Sequence, residues 1–161
     1  MEMKKLITIL LFILTSVLAL AKDVKVYSGD SEYTRDVICT VRSSHVYKHN
    51  SSYSQDILFT IKGNHIYSGQ SSYTKDIVCT IRNGKVYEGN SASNRDILLS
   101  IRNGSIYKGD SNYTKDIVAN IKNGKVYSGT SSYTKDIVFN IDGNLTIEEF
   151  VAVYLVVLYT Y

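Results

Sequence analysis

The sequence predicts a mainly β protein made of 20-residue β-hairpin repeats, arranged as a closed ring or barrel-like assembly or as a solenoid, with a short apolar C-terminal helix. Three observations lead to this prediction. Residues equivalent to Asp36 and to Tyr27 recur every 20 positions without insertion or deletion. Each period holds a β-branched run, a turn pair such as Asn83-Gly84, and a second short run. After Ile141 the repeat gives way to an apolar stretch.

The stretch 76–89, DIVCTIRNGKVYEG, shows the repeat unit most clearly. Its alternating run ends at Asn83-Gly84, a pair favoured in two-residue type I′ turns because both residues accept the positive φ that this turn requires. The polar stretch 71–76, SSYTKD, precedes this hairpin and is called the connector here. Its Ser, Thr and Asp side chains can bond nearby backbone N–H groups and so favour bends. Each unit is therefore predicted to be strand, tight turn, strand and connector.

Side-chain alternation predicts two faces for each hairpin. One face carries Ile77, Cys79, Ile81 and Val86, and the other carries Val78, Thr80, Arg82, Lys85 and Tyr87. The first face is the apolar one, and its variable position holds side chains of unequal volume, as expected in a shared core: Cys39, Phe59, Cys79, Leu99, Ala119 and Phe139. A single hairpin is only marginally stable in water, so the units must pack on one another.

The two ends of the repeat region complement each other. Residues 24–29 form a second strand without a first, and residues 136–141 form a first strand without a second. Pairing these two segments would close a ring of six hairpins and remove the exposed sheet edges. The alternative is an open solenoid of stacked hairpins capped by the C-terminal segment.

Residues 1–21 have the features of a secretory signal peptide. Lys4 and Lys5 form the basic start, residues 6–20 the apolar run, and Ala19-Leu20-Ala21 the cleavage site. The alternative, a membrane anchor, has an apolar run shorter than the roughly 20 residues needed to span a bilayer. The predicted organisation is a signal peptide at 1–21, a repeat domain at 22–144 and an apolar helix at 145–161 packed on the repeats. We expect a secreted, periplasmic or cell-surface protein without a transmembrane span after cleavage.

Charge and motifs argue against several classes of function. The formal charge of the whole chain is +3, and removal of Glu2, Lys4 and Lys5 lowers it to +2. Basic residues are spread through the repeats beside acidic ones, so neither a nucleic acid nor an anionic membrane is a predicted partner. The sequence contains no nucleophile elbow, phosphate-binding glycine loop or paired metal-binding histidines. We therefore expect a protein that is not an enzyme and has no catalytic residues.

The C-terminal stretch contains a helix start signal. Thr146 and Glu149 have the spacing of a capping box, in which each side chain bonds the backbone N–H of the other residue. The segment that follows is apolar nearly all round and must be buried. Its β-branched residues leave a strand as an alternative.

The stretch 140–150, NIDGNLTIEEF, resembles the second half of an EF-hand calcium loop with the start of its exit helix. This resemblance implies a metal site with Asn140, Asp142 and Glu149 as ligands. The first loop position is Val138, whose aliphatic side chain cannot coordinate calcium. The alternative assigns the same residues to a turn and a capping box. Calcium is the one cofactor considered, and no other is predicted.

Connector tyrosines and two cysteines are the remaining candidates. The tyrosines could present aromatic faces to sugars or quaternary amines, or stack between repeats: Tyr33, Tyr53, Tyr73, Tyr113 and Tyr133. Ser93 takes the equivalent place in the remaining connector, residues 91–96. Cys39 and Cys79 lie at the same phase two repeats apart. They form either a disulfide in an oxidising compartment or two buried free thiols.

The 20-residue hairpin period with Ile-Tyr or Val-Tyr in the second strand resembles short-hairpin repeat families, in particular bacterial four-fold β-flower proteins. It is more distantly similar to choline-binding cell-wall repeats, whose tryptophans this chain lacks. The resemblance implies a small secreted bacterial β protein. The expected function is structural, adhesive or binding, directed at an unidentified protein or glycan surface. The alternatives are a carbohydrate or cell-wall binder that uses the connector tyrosines, and a calcium-binding protein.

Overall fold

The computed structural model describes residues 23–160, with the backbone alone at Thr160. The predicted signal peptide, residues 1–21, lies outside the described residues. Six-residue strands alternate with strands of four or five residues, followed by one helix: β1 Val24–Ser28, β2 Val37–Arg42, β3 His45–Lys48, β4 Ile57–Lys62, β5 His65–Ser68, β6 Ile77–Arg82, β7 Lys85–Glu88, β8 Ile97–Arg102, β9 Ser105–Lys108, β10 Ile117–Lys122, β11 Lys125–Ser128, β12 Ile137–Asp142 and α1 Ile147–Thr160. Each connector contains a short 3-10 turn, such as Thr74–Asp76.

The twelve strands form one closed antiparallel barrel, in which each strand pairs with its neighbours in sequence and β1 pairs with β12. In the closing pair, Val26 lies opposite Ile141 and Ser28 lies opposite Phe139. The two strands that the repeat pattern leaves without a partner therefore complete each other. Closure is confirmed, and the open solenoid is wrong.

The Asn-Gly turns bring neighbouring hairpins close together. Asn83 and Gly84 have φ values of 51° and 73°, as the type I′ prediction requires. The Gly84 carbonyl accepts a hydrogen bond of 2.7 Å from the Ile101 amide of the next repeat. A Cβ atom at Gly84 would lie 2.8 Å from the Ile101 carbonyl oxygen. Glycine is thus required here both for its positive φ and for the contact between hairpins.

A β-bulge at the start of each first strand alters the predicted faces. On β5 and β6, Ile66 lies opposite Cys79 but Tyr67 lies opposite Ile77, so Val78 is the extra residue. Because an extra residue reverses the alternation, Ile77 shares a face with Tyr67 and not with Cys79. The predicted position of Ile77 on the apolar face is therefore wrong, whereas Cys79, Ile81 and Val86 are buried as predicted.

The connectors fold back over the outer face of the barrel. Thr80 lies on this face, yet its side chain is fully buried and its Oγ1 donates a 2.8 Å hydrogen bond to the carbonyl of Gly89, which lies just before the following connector. Thr40, Thr60 and Ser100 are buried in the same way. Part of the outer face is therefore buried, whereas Arg82 at its end is exposed.

The helix α1 lies inside the barrel. Every side chain from 150 to 157 is buried, and because these positions cover more than two helical turns, the helix is enclosed on all sides. It packs mainly against β2 to β5, while Phe139 of β12 contacts the rings of Phe150 and Tyr154 at centroid distances of 6.4 Å. The predicted helix is confirmed, and the strand alternative is wrong. Among residues 23–160, no helix has the length and apolar character needed to cross a bilayer.

The predicted capping box starts this helix. The Glu149 amide donates to Thr146 Oγ1 at 3.2 Å, and the Thr146 amide donates to Glu149 Oε2 at 2.9 Å. Two N–H groups at the start of the helix are thereby satisfied.

Candidate functional site

Each connector is held by the same hydrogen bonds between neighbouring residues. In the connector before β6, Ser71 Oγ donates to the Asp76 carboxylate at 2.5 Å, and the Tyr73 amide donates to Ser71 Oγ at 3.2 Å. The Asp76 amide in turn donates to the Tyr73 carbonyl at 2.9 Å. The serine-aspartate bond recurs in all six connectors at 2.5–2.6 Å. The repeated aspartates therefore have a structural role, with a serine hydroxyl as the side-chain partner.

These connectors present tyrosine side chains to solvent. The five connector tyrosines are between 66% and 70% exposed: Tyr33, Tyr53, Tyr73, Tyr113 and Tyr133. The Arg35 guanidinium lies 5.2 Å from the centroid of the Tyr33 ring, and Lys115 Nζ lies 5.7 Å from that of Tyr113. The ring-to-ring contacts within residues 23–160 include no pair of connector tyrosines. The predicted stacking between repeats is therefore not formed.

The connector 91–96, which carries serine in place of tyrosine, shows that the tyrosine ring is not needed for this local fold. Ser93 has φ and ψ of −77° and 135°, close to the −86° and 141° of Tyr73. Its connector keeps the same bonds, with Ser91 Oγ donating to Asp96 at 2.5 Å and the Ser93 amide donating to Ser91 Oγ at 3.0 Å. A serine therefore adopts the same connector geometry as a tyrosine, and its Oγ also accepts a 3.3 Å hydrogen bond from the Arg95 amide.

The residues of the predicted calcium site are engaged in separate interactions. Asn140 Nδ2 donates to the carbonyls of Gly29 and Ser31 at 3.1 and 2.7 Å, and Glu149 belongs to the capping box. Asn140 and Asp142 line one surface groove, whose lining does not include Glu149. Within residues 23–160, no group of three or more His, Cys, Asp or Glu side chains has an arrangement suited to a metal ion. Calcium binding stays a prediction.

Cys39 and Cys79 are buried free thiols, so the predicted disulfide alternative is not formed in this structure. They lie two repeats apart, on β2 and β6. Burial raises the pKa of each thiol to about 12. At neutral pH both therefore remain protonated and behave as small apolar side chains.

Two grooves on the outer face were missed by sequence reasoning. Each lies between the hairpin turn of one repeat and the connector of the next. The Asn140 groove has a volume of about 440 Å³ and is lined by Tyr27, Glu32, Asn123, Gly124, Lys125, Asn140, Ile141 and Asp142. The Asn120 groove has a volume of about 220 Å³ and is lined by Asn103, Gly104, Ser105, Asn120, Ile121, Lys122, Tyr127, Thr130, Ser131 and Ser132. No sequence pattern predicts these grooves, because they exist only where the chain between hairpins folds back over the sheet.

Comparison with known proteins identifies the repeat type. A family model described as "6-fold beta flower protein" matches residues 13–81 and 60–161. A comparison with curated proteins finds no match. Among solved structures, an X-ray structure of a protein from Arabidopsis thaliana is 15% identical, with a TM-score of 0.46, and the match covers 85% of this chain and 89% of that one. The predicted β-flower resemblance is confirmed, with six-fold in place of four-fold repetition, in agreement with the six hairpins of the barrel.

Proposed function

This chain belongs to the six-fold β-flower family, and from this premise we propose that it is an exported, non-catalytic adhesive protein that binds a partner surface through its connector tyrosines. One observation carries the proposal. A large aromatic side chain recurs at five equivalent positions with 66–70% exposure, although Ser93 has the same backbone conformation in the connector 91–96. Since folding does not require these rings, we assign them to contact with a partner.

The arrangement suits binding by several weak contacts at once. Tyrosine offers an apolar face and a hydroxyl group with only two side-chain rotors, so ordering it against a partner costs little conformational entropy. The serine-aspartate bonds hold each connector in one conformation. Five rings on one closed scaffold can then engage a repetitive surface with an avidity well above that of a single contact. Glycan polymers of a cell wall are the partner class that we favour, because they are repetitive.

Export is supported by the charge and hydropathy pattern of residues 1–21. We propose a secreted, periplasmic or cell-surface location on that basis. Mass spectrometry of the protein recovered from the producing cells should give a mature N-terminus at Lys22. Recovery of a protein that retains residues 1–21 would contradict the export proposal.

The binding proposal is tested by replacing all five connector tyrosines with serine, the residue that position 93 already carries. Cell-wall sacculi and immobilised polysaccharides serve as probes in a sedimentation or surface-binding assay. We expect the variant to bind at least about tenfold more weakly than the native protein, because the loss multiplies over several contacts.

A matched control keeps the connectors intact. Lys62 and Arg82 are exposed residues next to the hairpin turns, and their joint replacement by serine should leave binding unchanged. Circular dichroism melting curves of both variants should overlay that of the native protein. Equal binding by the five-tyrosine variant and the native protein would contradict the proposal, as would equal losses in the two variants.

A further inference from the structure

In five of the six repeats, a side chain from the outer face of the barrel donates to the carbonyl of the residue that directly follows a second strand. The donors and acceptors are Thr40 and His49, Thr60 and Gly69, Thr80 and Gly89, Ser100 and Gly109, and Asn140 and Gly29, at distances of 2.6–3.1 Å. In the remaining repeat, Asn120 occupies the donor position and Gly129 the acceptor position. There Asn120 Oδ1 accepts a 2.8 Å bond from Ser105 Oγ on the neighbouring strand. Within residues 23–160, this repeat therefore lacks the side-chain bond to the Gly129 carbonyl that the other five repeats make at the equivalent position.

The same groove also lacks the side-chain bridge that spans three other grooves. In those, the residue after the hairpin turn bonds a side chain just before a connector. The pairs are His65 with Asn90 at 3.2 Å, Lys85 with Asp110 at 2.9 Å, and Lys125 with Asp30 across the ring closure. In the Asn120 groove these two positions are Ser105 and Thr130. Ser105 is short and is already bonded to Asn120. The Asn120 groove is therefore not bridged, and its volume is about 220 Å³.

The lining of this groove defines the chemistry of a ligand. Hydroxyl groups come from Thr130 and Ser132, a carboxamide from Asn120, and an aromatic ring from the half-buried Tyr127 opposite it on β11. Lys122 is the one charged side chain of the lining. Such a set of neutral donors and acceptors beside an aromatic ring suits a neutral ligand rich in hydroxyl groups.

A ligand hydroxyl can restore the bond that this repeat lacks. A hydroxyl group donates one hydrogen bond and accepts others, so a single one can donate to the Gly129 carbonyl and accept from Asn120 Nδ2. In four other repeats a threonine or serine hydroxyl of the protein donates to that carbonyl. We propose that the Asn120 groove binds one neutral sugar unit, a hexopyranose, with a ring hydroxyl in place of the missing internal hydroxyl and an apolar sugar face against Tyr127. None of the connector tyrosines lines this groove, so the site goes beyond the proposed adhesive surface.

The test is a titration of the ¹⁵N-labelled native chain with glucose, galactose, mannose and N-acetylglucosamine, followed by NMR. A single sugar with few contacts should bind with a Kd on the order of 1 mM. At least one sugar should shift the Asn120 side-chain amide and the backbone amides of Gly129 and Thr130. Absence of saturable shifts with all four sugars, or shifts located elsewhere, would overturn the proposal.

Two substitutions distinguish a ligand site from local structure. Asn120→Thr copies the residue of β2, β4 and β6, and its hydroxyl should bond the Gly129 carbonyl, so we expect sugar binding to weaken at least about tenfold while the melting temperature stays the same or rises. Asn140→Thr is the matched control, because Asn140 already donates to the Gly29 carbonyl; sugar binding should not change. Native affinity in Asn120→Thr, or equal losses in both variants, would overturn the proposal.

A second design blocks the groove without altering Asn120. The double variant Ser105→Lys with Thr130→Asp copies the Lys85–Asp110 pair, should bridge the groove, and should weaken sugar binding to a similar extent. The variant with five connector tyrosines replaced by serine should keep the native Kd for the sugar. Loss of sugar binding in that variant would overturn the assignment to the Asn120 groove, whereas failure of the adhesive proposal alone would leave the sugar titration unchanged.

Discussion

At the scale of single residues, the glycines of the hairpin turns show how close the repeats approach one another. Gly84 combines a φ of 73° with a neighbouring carbonyl 2.8 Å from the position of a Cβ atom. Gly63 occupies a turn with a φ of 57° but has nothing within 4 Å of that position. The two glycines therefore share the conformational requirement and differ in the steric one.

We predict that Gly84→Ala lowers the free energy of unfolding by more than Gly63→Ala does. Both changes place alanine at a positive φ, which costs about 1 kcal/mol or more, and the first adds a clash with backbone. Urea unfolding followed by circular dichroism measures both values. Equal losses in the two variants would show that neighbouring hairpins separate without cost.

The buried thiols give a prediction about reactivity. Because burial raises the pKa of Cys39 and Cys79 to about 12, the reactive thiolate is scarce in the folded protein at mildly alkaline pH. We expect iodoacetamide to label neither cysteine in the native state and both in denaturant, as counted by intact mass. Rapid labelling of the native protein would contradict the burial of these side chains.

At the scale of elements, the start of α1 combines a cap with the entry of the chain into the barrel. The reciprocal bonds between Thr146 and Glu149 fix the first turn, and Phe150 is the first buried side chain of the helix. The cap therefore decides where the helix begins and which residues enter the core.

We predict that Thr146→Ala lowers the free energy of unfolding by about 1 kcal/mol, the usual loss for an N-terminal cap. Thr146→Ser retains the hydroxyl and should keep most of the native free energy of unfolding. Chemical denaturation of the three proteins provides the comparison. An alanine variant as stable as the native protein would mean that enclosure alone fixes the start of the helix.

At the scale of the whole molecule, α1 is the central part of the core. Its buried side chains belong to the same cluster as Val26, Cys39, Val86 and Phe139 from strands around the barrel. A closed sheet of twelve strands without this helix would leave a large apolar interior open to water, which is strongly unfavourable.

A chain that ends at residue 144 should therefore fail to unfold cooperatively and should bind the dye ANS, which reports exposed apolar surface. A chain that ends at Leu158 is the control, because Tyr159 is 72% exposed and its removal leaves the enclosed residues in place. Calorimetry and dye fluorescence distinguish the two. A cooperative transition in the shorter chain would show that the barrel is stable when empty.

The sequence predicted the hairpins, the turns and the capping box because each depends on residues close together in the chain. It also identified the two strands that close the ring, since their pairing follows from the phase of the repeat. The bulge at Val78 escaped prediction because an unbroken alternation fits IVCTI equally well. The outer grooves depend on where the connectors lie in space, so the exceptional environment of Asn120 became visible only once Gly129 and Ser105 were located.

The pairing of β1 with β12 has a consequence for the way the polypeptide is made. The ribosome releases β1 before β12 and α1, so the ring cannot close until β12 has been made. Until then the growing product has two open sheet edges and an unfilled interior, both of which favour aggregation. A prematurely terminated product lacks the segment that would protect it, which makes it a ready substrate for proteases and chaperones.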